Sequence, residues 1–293
     1  MISVTNWIIN ATPWSWKNGV RAVLLKPRLV TSRWRMLPDF VIIGGQRCGT
    51  TSLYRYLTEH PSCIHAFEKE VHYFDRHYGR DLCWYRANFP MRSYKSLVER
   101  HAGAPALTGE ATPNYMFHPI APRRLAEHVP QARLIALLRN PVERACSHYH
   151  HEVWLGHETL DFEQALDAEE ERLRGEQSRI LEDPGYSGFN HAHFSYANRG
   201  IYVDQLLEWM RYFPRERLLV IKSEDMYEEP DRILQEVQRF LGLPVKRLAG
   251  YKTYNVGHYD EGMEARLRKR LLDFFAPHNQ RLYAYLDRDF GWD

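Results

Sequence analysis

Cysteine is scarce in this 293-residue chain. The four present, Cys48, Cys63, Cys83 and Cys146, form no CxxC pair and sit at no metal-ligand spacing from a histidine. That excludes a disulfide scaffold and a thiolate metal site, and it fits a reducing compartment. No run of 18 apolar residues occurs, which argues against a membrane-spanning helix. Residues 1–16 lack the basic start and apolar run of a secretory signal. There is no internal repeat and no low-complexity tract. Acidic residues are missing from the first 37 positions, where Lys17, Arg21, Lys26, Arg28, Arg33 and Arg35 fall. The remainder carries 33 basic against 37 acidic groups, net −4, which does not suit nucleic acid. Trp7, Trp14, Trp16 and Trp34 accompany the basic residues, and a basic, Trp-bearing arm can lie on an anionic membrane. The expectation is an arm over residues 1–37 and one domain over 38–293. The protein would be cytoplasmic, with peripheral contact at the inner face of the membrane through residues 1–35.

What the chain does contain is an alternation of short apolar runs and helical periods. Asp39–Ile43, Arg133–Leu138 and Arg217–Ile221 read as buried strands, and Ala106–Gly109 as a weaker one. Arg133–Leu138 is apolar on both faces, as in a parallel sheet. Helices are expected over Thr50–Glu59, from Asn140–Pro141 onward, and over Leu160–Arg174, Ile201–Tyr212 and Pro230–Phe240. Two more are expected over Glu264–Phe275 and Asn279–Leu286. Gly175–Asn198 reads as a long functional loop. The fold class is therefore α/β, a P-loop-like, doubly wound parallel sheet flanked by helices.

Between the first strand and its helix lies Gly44-Gly45-Gln46-Arg47-Cys48-Gly49-Thr50-Thr51. Gly44 and Gly49 have P-loop spacing, and backbone N–H groups at a helix N-terminus cradle phosphate oxygens. A P-loop nucleotide kinase or NTPase needs Lys after the second glycine; this chain has Thr50. A cation stands instead inside the loop, at Arg47. Farther on, Arg139 ends a strand and Ser147 lies two turns into the next helix. An arginine there can clamp a second phosphate in bidentate fashion.

The two phosphate motifs and their order resemble the sulfotransferases that use 3′-phosphoadenosine 5′-phosphosulfate. The resemblance spans residues 38–293 and is strongest to the heparan sulfate (glycosaminoglycan) branch, in a bacterial-type form. It includes Glu70-Val71-His72-Tyr73-Phe74-Asp75, Arg199-Gly200-Ile201-Tyr202 with Trp209–Pro214, and the ending HNQRLYAYLDRDFGW. It implies in-line sulfuryl transfer to an acceptor hydroxyl or amine, with adenosine 3′,5′-bisphosphate as product and no metal.

By the same resemblance Gly45, Gln46, Arg47, Cys48, Gly49, Thr50, Thr51 and Ser52 hold the 5′-phosphosulfate. Arg139 and Ser147 hold the 3′-phosphate, and Tyr202, Gly257 and His258 add nucleotide contacts. Arg47 stands where the branch has Lys and would stabilise the leaving phosphate. Glu70 would be the general base, with His72 orienting or replacing it. Glu70, Thr112 and Asn114 would meet the acceptor. If residues 70–75 are extended, Glu70, His72 and Phe74 share a face. Two departures stand out: Ala111 replaces a lysine of the branch, and the Tyr254–Tyr259 stretch keeps only Gly257 of a Lys-Gly-Arg loop. The missing lysine and the net acidic body favour a carbohydrate, glycolipid or small-metabolite hydroxyl over a long anionic glycan; the altered loop bears on the nucleotide contacts at Gly257 and His258. The competing classes are a P-loop kinase or NTPase and a non-catalytic nucleotide-binding protein.

Overall fold

The computed structural model describes residues 17–183, 185–252, 254 and 263–292. Five parallel strands build the sheet: β1 (Phe40–Gly44), β2 (Cys63–His65), β3 (Leu107–Ala111), β4 (Arg133–Leu138) and β5 (Leu218–Lys222). Their spatial order is β2-β3-β1-β4-β5. Val41 registers with Glu110 on one side and Leu134 on the other, and Ala136 registers with Val220. The helices in chain order are α1 (Lys17–Val30), α2 (Thr50–Thr58), α3 (Leu82–Ala87), α4 (Arg92–Ala102), α5 (Ala121–His128), α6 (Pro141–Trp154) and α7 (Phe162–Asp167). They continue with α8 (Glu169–Leu173), α9 (Glu176–Glu182), α10 (Phe189–His193), α11 (Tyr202–Met210), α12 (Ser223–Glu228), α13 (Pro230–Leu241) and α14 (Ala265–Leu286).

Every residue of β1 is buried because the sheet is covered on both faces. Phe40 and Ile42 join a core with Leu53 and Leu57 of α2 and Val237 and Leu241 of α13. Val41 and Ile43 point the other way, into a core with Leu125 of α5, Leu206 of α11 and Leu282 of α14. The neighbours of β1 are β3 and β4, so the chain crosses from one side of β1 to the other. Ligands of doubly wound sheets bind in the crevice that such a reversal opens at the carboxyl ends of the strands.

Four expectations are corrected. The helix expected over 160–174 is split into α7 and α8 at Ala168. There the Glu169 carboxylate turns inward and accepts the N–H groups of Ala197 and Asn198. The two helices expected at the end are one, α14, which runs through Pro277 because Leu271, Phe275, Asn279 and Leu282 form one buried stripe. Gly175–Asn198 is no structureless loop; it holds α9 and α10, each begun by a left-handed glycine, Gly175 and Gly188. Residues 70–75 are not extended: His72 has φ +53 and a turn follows it. The turn drives Phe74 into the core while Glu70 and His72 stay at a cavity.

Part of the basic arm is docked. The Arg28 guanidinium donates to the carbonyls of Ala87 (2.6 Å) and Phe89 (3.0 Å). Arg35 donates to Phe89 as well, and Arg21 pairs with Glu68 at 2.9 Å. Trp7, Trp14 and Trp16 lie outside the described residues. Among those described, no helix is long and apolar enough to cross a membrane.

Candidate active site

The phosphate-type loop is built on β1 and β4. The Gly45 N–H donates to the Leu137 carbonyl at 2.6 Å, which ties the loop to the neighbouring strand. Gly49 begins α2 at φ +90, and a Cβ there would fall 2.6 Å from Met226 Cε and 2.7 Å from Tyr227 Oη, so glycine is required. The Cys48 carbonyl accepts the Ser223 hydroxyl at 2.6 Å. Arg47 Nε donates to Ser147 Oγ at 3.0 Å, and Arg139 Nη1 reaches the Arg47 carbonyl at 3.4 Å. Two motifs about ninety residues apart are thus one unit. Asn140 caps α6 by accepting the N–H groups of Val142 and Glu143, which fixes Ser147 on that helix.

This unit opens into a cavity of about 740 Å³, within the range of small-ligand sites. Gln46, Arg47, Gly49, Thr50, Thr51, Arg139 and Ser147 line it, as do Glu70, His72 and Asn114. Other expected residues stand behind the wall. Gly45 is bound to β4, and Cys48 is fully buried. Ser52 Oγ accepts the Tyr254 N–H at 3.1 Å. Thr112 donates to Glu110 at 2.7 Å. Tyr202, also buried, donates to the Arg139 carbonyl at 2.8 Å and lies 3.9 Å from Cys48 Sγ, so it supports both motifs from beneath. Gly257 and His258 lie outside the described residues; their neighbour Tyr254 lines the cavity.

A relay of side chains runs away from Glu70. Its Oε2 lies 3.1 Å from His72 Nε2, and His72 Nδ1 lies 2.8 Å from Asp75 Oδ2. Asn114 donates to that same Asp75 oxygen at 2.8 Å and accepts from Arg199 at 2.9 Å. Arg199 in turn donates to the carbonyls of His191 and Ala192. Burial alone would raise the Glu70 carboxyl, but the His72 hydrogen bond and the Lys69 charge draw it down to about 2. Burial would likewise lower His72; the Asp75 and Glu70 carboxylates overcome this and push it up to about 9. Asp75 is held below the usual carboxylate range by His72.

Two groups escaped the reading of the sequence. Glu110, on β3, is fully buried and accepts the Tyr85 hydroxyl at 2.5 Å; burial raises its carboxyl to about 7. Its signal was a lone acid inside a strand. The second group gathers around Glu152, in the last turn of α6. Its Oε2 lies 2.8 Å from both His157 Nδ1 and His193 Nδ1, and its Oε1 lies 3.4 Å from His148 Nε2. The His148 and His193 imidazoles set against its carboxylate overcome the effect of burial and hold Glu152 below the usual range. Burial lowers His148 to about 3. The His148/Glu152 spacing of one helical turn was the visible signal. Glu152 and His193 line the same cavity as Glu70.

Comparison with known proteins agrees with this geometry. The sulfotransferase domain model matches residues 37–260. A solved sulfotransferase from Alicyclobacillus acidocaldarius is 30% identical, covers 88% of this chain and 99% of its own, and superposes with a TM-score of 0.60. The membrane-associated sulfotransferase kil1 of Dictyostelium discoideum is 29% identical over 87% of this chain and 66% of its own. Mouse heparan sulfate glucosamine 3-O-sulfotransferase 3B1 is 30% identical over 88% and 66%. The chain thus spans just under two thirds of the length of these two curated relatives. The chain belongs to the sulfotransferase family.

Proposed function

We propose that this sulfotransferase moves the sulfuryl group of 3′-phosphoadenosine 5′-phosphosulfate to an acceptor hydroxyl, with Glu70 as general base. The observation that carries the reading is the Arg47–Ser147 hydrogen bond, which joins the two phosphate motifs in the cavity that also holds Glu70. The donor fits these residues: two guanidinium groups, the loop N–H groups and the α2 N-terminus supply charge and donors for two separate phosphates. The acceptor oxygen attacks sulfur in line. The S–O bond to the 5′-phosphate breaks, the bisphosphate leaves with the electron pair, and the acceptor proton passes to Glu70. Arg47 stabilises the leaving phosphate.

His72, raised to about 9, keeps its proton at neutral pH. That favours it as the group that orients Glu70 rather than as the base. A carboxylate near 2 is a weak base, but the polyanionic donor brings like charge into the cavity, and like charge raises a carboxyl. The base is therefore strengthened when the donor binds. The heparan sulfate relatives support a carbohydrate acceptor, which Asn114 and Glu70 would meet. Thermal unfolding with adenosine 3′,5′-bisphosphate against Mg-ATP tests the donor. Stabilisation by the bisphosphate alone, about 2.7 kcal/mol at a hundredfold excess over Kd, is expected. Stabilisation by Mg-ATP alone would overturn the donor assignment.

Peripheral membrane contact has a narrower basis than the arm's charge suggests, because Arg21, Arg28 and Arg35 are engaged by the body. Among the described residues, what remains is the exposed stripe Val23, Lys26, Leu29, Val30, Arg33 and Trp34 at helical spacing. Flotation with phosphatidylserine vesicles tests it: retention that survives deletion of residues 1–35 would sink the reading.

A further inference from the structure

We propose that Glu152, His157 and His193 form a binding site for one divalent transition-metal ion of the zinc class, set in the wall of the cavity. Each of the three offers one ligand atom, and these atoms all lie within 4.8 Å of one another. Zinc bonds nitrogen and carboxylate oxygen at about 2.0–2.2 Å, so tetrahedral ligands stand about 3.3 Å apart. The two imidazole nitrogens are 2.8 Å from the carboxylate oxygen. An opening of under about 1 Å therefore admits the ion.

The sequence makes this cluster by a local device. Gly156, at φ +76, closes α6 with a reversal in which the Gly156 N–H donates to the Val153 carbonyl and the His157 N–H to the Glu152 carbonyl. That folds His157 back over Glu152. The third ligand, His193, arrives from the end of α10, whose backbone is held by Arg199 through the carbonyls of His191 and Ala192.

A second observation separates a metal site from a hydrogen-bonded knot. Glu152 is 1% exposed, and its Oε1 makes no hydrogen bond among the described residues; neither ring nitrogen of the fully buried His148 makes one. A bare knot leaves these buried groups unsatisfied, which is costly. With a cation on Oε2, His148 stands 3.4 Å from the other oxygen as the outer partner that orients a ligating carboxylate. Two imidazoles and one carboxylate suit zinc and its neighbours and do not suit magnesium or calcium, which take oxygen ligands. Three protein ligands leave a coordination position free. Because Glu152 and His193 line the cavity, that position opens toward it, for water or an acceptor oxygen.

The test uses the full chain, stripped with chelator and titrated separately with Zn²⁺, Co²⁺ and Mg²⁺. One retained equivalent of zinc, visible absorption bands with cobalt, and a thermal shift with zinc but not magnesium are expected. His193→Asn and His157→Gln should each weaken zinc by more than the 10- to 100-fold that loss of an outer partner costs. An unchanged far-ultraviolet circular dichroism spectrum and a cooperative melt should report a folded chain. His157, half-buried and not part of the cavity lining, is the safer variant should His193→Asn fail to fold. No retained zinc and no shift in the wild type, or equal zinc affinity in the wild type and the folded variants, overturns the site. None of these readouts depends on the donor assignment.

Discussion

The cavity holds two carboxylate–histidine clusters with opposite arithmetic. Around His72 one imidazole is shared by two carboxylates, Glu70 and Asp75. Around Glu152 one carboxylate is shared by three imidazoles. In the first the excess of acid raises the imidazole to about 9, and a fixed cation is held beside a base. In the second a single carboxylate does not offset burial, and the buried His148 is held neutral, near 3. The same residue types thus give a proton-handling site or a ligand-rich site according to their ratio.

The largest test of that contrast is a pair of isosteric changes. Glu70→Gln should lower sulfuryl transfer by about 10²–10⁴-fold, the usual contribution of a general base, with bisphosphate affinity unchanged. Glu152→Gln should cost far less in turnover at saturating donor. Equal losses, measured as product per unit time, would break the distinction. Next, replacing Arg47 by Met should cost about 10²–10³-fold in turnover through the leaving phosphate, more than it costs in bisphosphate binding.

A smaller effect concerns pH. His72 has its folded value raised, so its contribution to stability is complete below its ordinary value near 6.5 and fades as pH rises through about 9. Unfolding free energy should therefore fall by up to about 3 kcal/mol across that window, and Asp75→Asn should flatten the slope. A variant with the full slope would remove Asp75 as the cause. Glu70 acts in the other direction: its share is present above about 4.5 and is lost as pH falls toward 2. The smallest expected change is Ser147→Ala. Losing one hydrogen bond to Arg47 should weaken the bisphosphate about three- to tenfold by calorimetry.

The sheet was legible because its strands are apolar on both faces, and the phosphate loop because glycine and arginine carry local meaning. Arg47, Arg139 and Ser147 could be named from spacing between a strand end and a capped helix. Their mutual contact could not, since it depends on β1 and β4 being neighbours. The Glu152 cluster was hidden for a similar reason. His157 reaches Glu152 only through the reversal at Gly156, and His193 comes from a helix forty residues on. The turn at His72 and the unbroken course of α14 through Pro277 show tertiary burial overriding local preference.

The sulfur beneath the phosphate loop has a practical side. Cys48 is sealed under the loop against Tyr202, and burial pushes its thiol up, whereas Cys83 sits in the open. A thiol reagent therefore meets Cys83 in the native protein and Cys48 only when the floor of the nucleotide cradle comes apart. The order in which the two cysteines are alkylated reads out the integrity of the donor site, without any substrate in hand.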